Sequence, residues 1–360
     1  MRTAITRMTT TVCTIALLLV GAIPASAQGG FRLAGGVDSG QPVEASLAVS
    51  QEVIQDGAAG AVVLGRSDNF ADNLGGAVLA RTVNGPLLLN PRDQLDSRIA
   101  AEIARVLPPQ QADCQALASQ GEAEVYILGG TGAIAQDIES QLAGNFCVLR
   151  LSGPSRVETS VEVAGQVERV LQNRGGFNGY RYLIARADNA VDSATGGAYG
   201  GIFGIPILVT ASDSLHPAVE SYLAGGAAEV AILGGQAAVS ADVERRIDEV
   251  LAPQGTVSYR LSGASRDDTA RVIAEDFASR RGGINDVTLV NGFIDDAWVF
   301  ALTSAAVNPG EPVLYVQRDD LLQTTRSFIQ SRAPLTGVNV FGSTNVVSDA
   351  VLADARAAAS

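Results

Sequence analysis

Residues 150–156 read Arg-Leu-Ser-Gly-Pro-Ser-Arg, and residues 260–266 read Arg-Leu-Ser-Gly-Ala-Ser-Arg, 110 positions later. The start of the same stretch stands 118 positions earlier, as Arg-Leu-Ala-Gly at residues 32–35, before that copy diverges. Self-similarity at such an interval marks a repeated structural unit. The sequence therefore contains three copies of one unit.

Each copy carries the same features in the same order. A short apolar run leads to a turn that contains aspartate, a segment of small residues follows, and a proline opens a second apolar run. A third run ends in Leu-Gly-Gly at residues 128–130 and 233–235, and in Phe-Gly-Ser at residues 341–343. We therefore divide the chain into residues 28–149, which include an insertion bearing Cys114, residues 150–259 and residues 260–360.

The apolar runs predict the class of fold. They are short, show no alternation of apolar and polar side chains, and are separated by helical patterns, as is typical of buried parallel strands in βα units. We expect an α/β protein of three tandem Rossmann-like or flavodoxin-like repeats with parallel sheets, packed as a pseudo-threefold trimer. The strands at Leu151 and Leu261 can equally close the preceding unit, which leaves each boundary open by one strand.

Composition and charge exclude several classes of protein. The 360 residues are 47% hydrophobic and 18% charged, which suits packed globular domains. All 25 basic residues are arginine, and 38 acidic residues give a formal net charge of −13. Nucleic-acid-binding proteins need a basic surface to neutralise phosphates, so we expect no nucleic-acid partner.

The first 27 residues have the pattern of a signal peptide. Arg2 and Arg7 precede an apolar run at residues 12–23, and Ala25-Ser26-Ala27 offers a small-residue cleavage site. The alternative is an uncleaved anchor, but the run is shorter than the roughly 20 residues that span a bilayer. We predict cleavage before Gln28 and secretion to the cell surface.

Two cysteines, Cys114 and Cys147, remain after that cleavage. An oxidising exterior permits a disulfide between them. A zinc site is the weaker alternative, because two cysteines 33 residues apart and the single His216 do not form a recognisable set of ligands. We expect the disulfide and no metal site.

Four motifs resemble those of the cell wall binding repeat type 2 family. They are the arginine-containing start, the strand and turn that end in Gly65-Arg66-Ser67-Asp68-Asn69-Phe70-Ala71-Asp72, the proline-led strand such as Pro206-Ile207-Leu208-Val209, and the glycine pair after the third run. Each motif alone is weak, but their repeated order covers the chain from about Arg32 to its end.

The resemblance implies a surface protein held non-covalently on a bacterial cell wall. Its repeats would bind a secondary wall polymer, an anionic or neutral glycan, without catalysis. Such repeats usually anchor an effector domain. Here two alternatives stay open: an autonomous wall component, or a partner surface protein that carries the effector function. The alternative is a structural or assembly protein of the cell surface whose repeats bind protein partners.

Recurrent aspartates are the first candidates for ligand binding. Asp72, Asp192 and Asp296 each follow a predicted strand, where open parallel sheets place their ligand crevice. They could bind polymer hydroxyl groups, either directly or through a divalent ion. The alternative is helix N-capping, since aspartate accepts hydrogen bonds from the free N–H groups at a helix start.

Recurrent arginines are the second candidates. Arg150, Arg156, Arg260 and Arg266 hold equivalent positions in two copies. A guanidinium group binds phosphate or carboxylate through two parallel hydrogen bonds, which would let an acidic protein contact an anionic polymer locally. The alternative is a salt bridge to the recurrent aspartates.

No repeated constellation of residues supports catalysis or a cofactor. The register positions equivalent to His216 are Asp96 and Leu322, so a catalytic triad is not expected. The glycines at residues 129–132 lack the lysine of a phosphate-binding loop and are interpreted as a turn. Trp298, the single tryptophan, has no counterpart in the other copies, and we expect it at a domain junction.

We predict that Cys114 and Cys147 are paired in the exported protein. The bridge closes a loop of 33 residues, for which chain entropy gives a stabilisation of about 3–4 kcal/mol. Mass spectrometry of unreduced peptides should find the linked pair, and replacing both residues with serine should lower the free energy of unfolding by about that amount. Two free thiols in secreted material would refute the pairing.

Overall fold

The computed structural model describes residues 30–108, 112–307 and 310–360. The expected signal peptide, residues 1–27, lies outside the described residues. The strands of the described residues are β1 (Arg32–Leu33), β2 (Val62–Arg66), β3 (Leu87–Asn90), β4 (Val125–Leu128), β5 (Val148–Leu151), β6 (Arg181–Arg186), β7 (Ile207–Thr210), β8 (Glu229–Leu233), β9 (Ser258–Leu261), β10 (Asp286–Asn291), β11 (Val313–Val316) and β12 (Gly337–Phe341).

Helices connect these strands, as expected for βα units. They are α1 (Pro42–Val53), α2 (Gly76–Thr82), α3 (Ser97–Val106), α4 (Cys114–Gln120), α5 (Gln136–Ala143), α6 (Arg156–Asn173), α7 (Val191–Phe203), α8 (Pro217–Ala224), α9 (Ala241–Leu251), α10 (Arg266–Arg281), α11 (Ala297–Val307), α12 (Gln323–Arg332) and α13 (Asp349–Ala359). None of the helices in the described ranges is long and apolar enough to cross a membrane.

The strands form three parallel sheets of four strands each. The strand orders are β3-β2-β4-β5, β7-β6-β8-β9 and β11-β10-β12-β1. Counted along each copy, the first two orders read 2-1-3-4, which is the beginning of the flavodoxin-like order. The expected fold class of three α/β repeats with parallel sheets is confirmed.

The third sheet is completed by the first strand of the chain. Strand β1 pairs in parallel with β12, so that Arg32 lies opposite Val340 and Leu33 opposite Phe341. Strands β5 and β9, which begin the next copies in sequence, likewise pair with β4 and β8 of the preceding sheets. Each Arg-Leu strand is therefore the last strand of a sheet, and the ring of three sheets is closed by the N-terminal segment.

Three helices pack against one another at the centre of the molecule. They are α2, α7 and α11, one from each copy, and every pair of them is in contact. A Cβ atom built on Gly197 of α7 would lie 3.1 Å from the Cβ of Ala77 and 3.3 Å from the Cβ of Ala305. Small residues on all three helices thus allow close approach, and one hydrophobic core runs through all three copies.

The disulfide lies in the extra length of the first copy. Cys114 opens α4 and is bonded to Cys147, the residue before β5, with a Cα–Cα distance of 5.1 Å. The buried Glu124 side chain accepts a hydrogen bond from the Cys147 N–H at 2.9 Å. The bridge therefore fixes α4 to the edge of the first sheet.

Replacing Gly197 with leucine should destabilise the whole assembly. The side chain would have to enter the space between Ala77 and Ala305, and overpacking of a core typically costs about 1–3 kcal/mol. Urea denaturation would show the loss as a lower midpoint. The matched control is Gly165→Leu on α6, because the nearest neighbour of an added Cβ there is the Tyr222 hydroxyl at an ordinary 3.6 Å. Equal effects of both substitutions would contradict the central role of the helix contact.

Candidate functional site

The first arginine of each copy joins a strand to a neighbouring turn. The Arg150 Nη1 donates to the carbonyl oxygen of Gly129 at 2.8 Å, and its Nε donates to Glu139 at 2.8 Å. Arg260 makes the equivalent bonds, from Nη1 to the Gly234 oxygen at 2.7 Å and from Nη2 to Glu244 at 2.7 Å.

The first copy repeats this arrangement across the closure of the ring. Arg32 donates from Nη1 to the Gly342 oxygen at 2.8 Å and pairs with Asp349 at 2.9 Å. All three arginine side chains are largely buried, with exposed fractions of 12% for Arg150, 14% for Arg260 and 15% for Arg32. Their acidic partners lie in α5, α9 and α13, the helices that follow the neighbouring strands β4, β8 and β12. The structure therefore gives these arginines bracing contacts within one sheet.

The second arginine of the motif lies where two copies meet. Arg156, the first residue of α6, donates to the Ala187 oxygen at 2.9 Å and lies 5.7 Å from the centre of the Phe70 ring. Arg266, the first residue of α10, donates to the Gly292 oxygen at 2.5 Å and lies 5.0 Å from the centre of the Phe293 ring. Each guanidinium has further N–H donors besides the one that bonds to a carbonyl oxygen.

Asp72 and Asp192 lie at the point where the first and the second sheet reverse their strand order. A Cβ atom built on Gly129 would lie 2.7 Å from the Asp72 carboxylate, and one built on Gly234 would lie 2.5 Å from that of Asp192. These glycines follow β4 and β8, so both carboxylates lie over the carboxyl ends of strands, where open α/β sheets bind ligands. The N-caps of α2 and α7 are Gly75 and Ala190, so neither aspartate caps its helix.

Asp296 is held differently. Its carboxylate accepts hydrogen bonds from the Ser39 hydroxyl at 2.5 Å and from the Gly40 N–H at 2.6 Å. Both donors belong to the N-terminal segment that closes the ring. The third aspartate therefore joins the third copy to the first.

A cavity lies at the end of the central helices where α7 and α11 begin. Its volume is about 230 Å³, and we name it the axial cavity. Its lining includes residues of all three sequence copies, among them Phe70 of the first, Asp188 and Val191 of the second, and Arg266, Trp298 and Tyr315 of the third. The Phe70 and Trp298 rings pack edge to face, with centroids 6.5 Å apart. Trp298 lies at a domain junction, as expected, and is also part of the cavity wall.

The ionisable groups beside the axial cavity differ in their exposure to solvent. Burial raises the pKa of Asp192, although the nearby Arg186 and Arg266 partly offset that effect. Burial likewise raises the pKa of Tyr315, whose hydroxyl donates to the Val191 oxygen at 2.6 Å. Asp188 is exposed, and a two-bond pair with Arg186 lowers its pKa. The cavity therefore combines aromatic rings, a cation and carboxylates of different character.

Two arginine–aspartate pairs, one at the end of β2 and one at the end of β6, were not predicted from the sequence. Arg66 binds Asp68 through two hydrogen bonds of 2.7 Å, as Arg186 binds Asp188 in the second copy. The recurrence of Arg-x-Asp-Asn at residues 66–69 and 186–189 was the signal that could have found them. In the third copy this position carries Asn291, whose side chain accepts from the Phe293 N–H.

The residues considered for catalysis and metal binding, His216 and the two cysteines, instead make contacts that stabilise the fold. His216 is the N-cap of α8 and accepts from the Ala218 N–H at 3.2 Å, while Asp96 and Leu322 hold the N-cap positions of α3 and α12. Cys114, Glu124 and Cys147 form the one group in the described ranges with the spacing of metal ligands, but its two cysteines are joined in the disulfide.

The family model of cell wall binding domain 2 (CWB2) matches residues 39–139, 150–244 and 260–352. The chain belongs to the cell wall binding domain 2 family. The family resemblance predicted from the motifs is thus confirmed, and membership indicates a protein that binds the cell wall and is located at the cell surface or wall.

Two individual proteins are similar to parts of this chain. The chain is 25% identical over 288 residues to the amidase enhancer of Bacillus subtilis (strain 168), which covers 80% of this chain and 35% of that protein. It is 30% identical over 133 residues to an uncharacterized protein of Pyrococcus abyssi, which covers 36% of this chain and 37% of that one. The chain therefore matches little more than a third of the length of these relatives.

Solved structures share the fold. Cwp8 from Clostridium difficile superposes with a TM-score of 0.76 and 24% identity, over 92% of this chain and 52% of that one. Cwp6 from the same organism gives a TM-score of 0.74 and 20% identity, over 92% of this chain and 48% of that one. The arrangement of three α/β repeats is therefore shared with these proteins.

Replacing Asp192 with asparagine should stabilise the protein at neutral pH. Because the folded-state pKa of Asp192 is raised, its ionisation costs stability above the unfolded pKa of about 4, and the cost disappears as pH falls toward that value. Urea denaturation should show a higher free energy of unfolding for the Asp192→Asn variant than for the original chain at pH 7, and a smaller difference at pH 4.

The matched control, Asp188→Asn, should show the opposite sign. The pKa of Asp188 is lowered by its pairing with Arg186, so the pair stabilises the fold above the unfolded pKa and loses its effect as pH falls. Since Asp188 is 63% exposed, the loss should be at most about 1 kcal/mol. A gain for Asp192→Asn that does not depend on pH would contradict the burial argument.

Proposed function

We propose that the chain binds a secondary wall polymer, an anionic or neutral glycan, without catalysis, and that the axial cavity holds one group of that polymer. The observation that carries the proposal is the cavity wall, which combines Phe70 of the first copy and Asp188 of the second with Arg266, Trp298 and Tyr315 of the third. A site of this kind exists only when the three repeats are assembled.

The chemistry of the axial cavity suits a sugar. Phe70 and Trp298 offer apolar ring surface against which a pyranose face can pack, and Asp188 offers acceptors for its hydroxyl groups. Arg266 offers guanidinium donors to a carboxylate or phosphate substituent. Helices α7 and α11 also begin here, so the positive ends of their dipoles favour a partial negative charge.

Size and charge limit what the cavity can hold. At about 230 Å³ it is smaller than the roughly 300–1,000 Å³ of sites for drug-sized ligands. It therefore suits a single sugar ring or side group, while the rest of the polymer runs over the surface. The net charge of −13 opposes long-range attraction of a polyanion, so recognition depends on the local arginine.

Binding to cell wall tests the class of ligand. Purified wall of the protein's own organism should retain the exported chain, and removal of the secondary polymer from the peptidoglycan should release it. Retention that is indifferent to this removal would overturn the polymer proposal. Retention that is lost on protease treatment of the wall would point to a protein partner instead.

Substitutions test the position of the site. Arg266→Ala and Trp298→Ala should each weaken wall binding about tenfold or more, because a charge-assisted hydrogen bond or a stacked ring is lost from a partly desolvated site. Arg326→Ala is the control, since Arg326 pairs with the exposed Asp354 on α12 and α13. Unfolding midpoints must first be shown to be similar. Equal binding by all three variants would contradict the assignment of the axial cavity.

We also infer that the mature protein begins at Gln28 and acts outside the cell. The charged and apolar pattern of residues 1–27 supports export, and the family supports the cell surface as its location. A partner surface protein that supplies an effector function fits the same picture. N-terminal sequencing of wall-associated protein tests the cleavage directly, and an N-terminus at Met1 would overturn it.

A further inference from the structure

A second cavity lies at the opposite end of α7, whose 13 residues span about 18 Å at 1.5 Å of helix rise per residue. Its volume is about 590 Å³, and we name it the rear cavity. It is lined by Arg81 and Thr82 of the first copy and by Leu171, Arg181, Phe203 and Gly204 of the second. It therefore lies between two copies and away from the carboxyl ends of the strands.

Arg81 has an unusual environment in this cavity. Burial lowers the pKa of its guanidinium, and the charge of Arg281 lowers it further. Among the residues that the structure describes, the guanidinium has no hydrogen-bond acceptor and no acidic partner. A Cβ atom built on Gly201 would lie 3.0 Å from Cβ and Cγ of Arg81, so the stem of the arginine lies directly against that glycine.

Arg181 lines the same cavity and is only partly satisfied. Its Nη2 donates to the Phe203 oxygen at 3.3 Å, a long contact, and its buried Nε has no partner within the described part of the chain. A buried donor without an acceptor costs about 1–3 kcal/mol, and more when the group is charged. Arg81 and Arg181 therefore line the same cavity, and Arg181 has a buried donor that the protein leaves unused.

The carbonyl groups at the adjacent helix ends do not explain Arg81. The Thr82 oxygen, at the end of α2, accepts from Arg174 at 3.0 Å. The Phe203 oxygen, at the end of α7, accepts from Arg181. The negative ends of the two helices are thus already served by other cations, and Arg81 remains in excess. Arg174 also contacts Glu122 at 3.4 Å, so that carboxylate has its own partner.

We propose that the rear cavity binds an anion, a phosphate or carboxylate group, with Arg81 and Arg181 as its ligands. Guanidinium groups match both anions with paired hydrogen bonds, and the anion would satisfy the donors that the protein leaves unused. The cavity is larger than the anion alone requires, so the anion is one end of a larger organic molecule. The apolar side chains of Leu171 and Phe203 would contact the rest of that molecule.

Inorganic phosphate and glucose 1-phosphate are suitable probes, and galacturonate tests a carboxylate. Each should raise the melting temperature of the exported chain, and titration calorimetry at low ionic strength should give a dissociation constant. Arg81→Gln and Arg181→Gln should weaken binding at least tenfold. The matched control is Arg245→Gln on α9, whose arginine is exposed and paired with Asp242 and Glu249.

Stability without the anion provides an independent measurement. Arg81→Gln removes a partly buried charge that lacks a partner, so it should unfold at a higher temperature than the original chain in a buffer without multivalent anions. Added phosphate should narrow or reverse that difference, because only the original chain binds it. Three outcomes would overturn the proposal. The first is a difference in unfolding temperature that phosphate does not change, and the second is phosphate binding that the Arg81→Gln variant retains. The third is that the original chain binds no phosphate at about 10 mM.

The source of the anion is decided by the wall assay. If the group belongs to the wall polymer, Arg81→Gln should weaken retention on purified wall; if it belongs to a free metabolite, retention should be unchanged while phosphate binding is lost. Trp298→Ala separates this site from the axial cavity. That variant should bind phosphate like the original chain, whatever its effect on the wall.

Discussion

Close packing of α2, α7 and α11 is the contact on which the rest of the structure depends. Gly197 lies so near Ala77 and Ala305 that the three helices touch with little between them, and every side chain of α11 except Trp298 is buried. Helices surrounded by protein on all sides show no single apolar stripe, and α11 is accordingly apolar around nearly its whole circumference. Because each helix follows β2, β6 or β10, an inner strand of its sheet, this contact also holds the three sheets around one axis.

Closure of the ring adds a second constraint. Strand β1 has only two residues, yet it completes the last sheet and places Arg32 against the Gly342 turn. The same Arg-Leu strand ends the first and second sheets, so the unit repeated in sequence is shifted by one strand from the unit that forms a sheet. Neighbouring copies are therefore joined in two ways: they share a common core, and the first strand of each sequence copy completes the sheet of another copy.

The parallel strands and their order along the chain could be predicted from the sequence, because the same apolar runs recur at equivalent positions of each copy. Apolar runs such as Val125–Leu128 fixed the parallel strands, because burial on both faces leaves no alternation. The partners of Arg150 could not be predicted in this way, since Glu139 is brought near only by the pairing of β4 with β5. Arg81 could not be predicted as a candidate from the sequence, because it has no counterpart in the other copies. Its interest depends on its three-dimensional surroundings: it is largely buried and, among the described residues, has no acidic partner.

Departures from the repeat also determine where binding groups can lie. Arg156 and Arg266 each stand at a junction with a guanidinium facing the next strand end, but the equivalent residue of the first copy is Asp38. Asp38 accepts from Ser343 and Asn345, and the following segment binds the Asp296 carboxylate. The junction that closes the ring is thus occupied by the protein's own N-terminal segment. Three similar sequences therefore do not yield three equal sites, and the cation that reaches the axial cavity comes from the third copy alone.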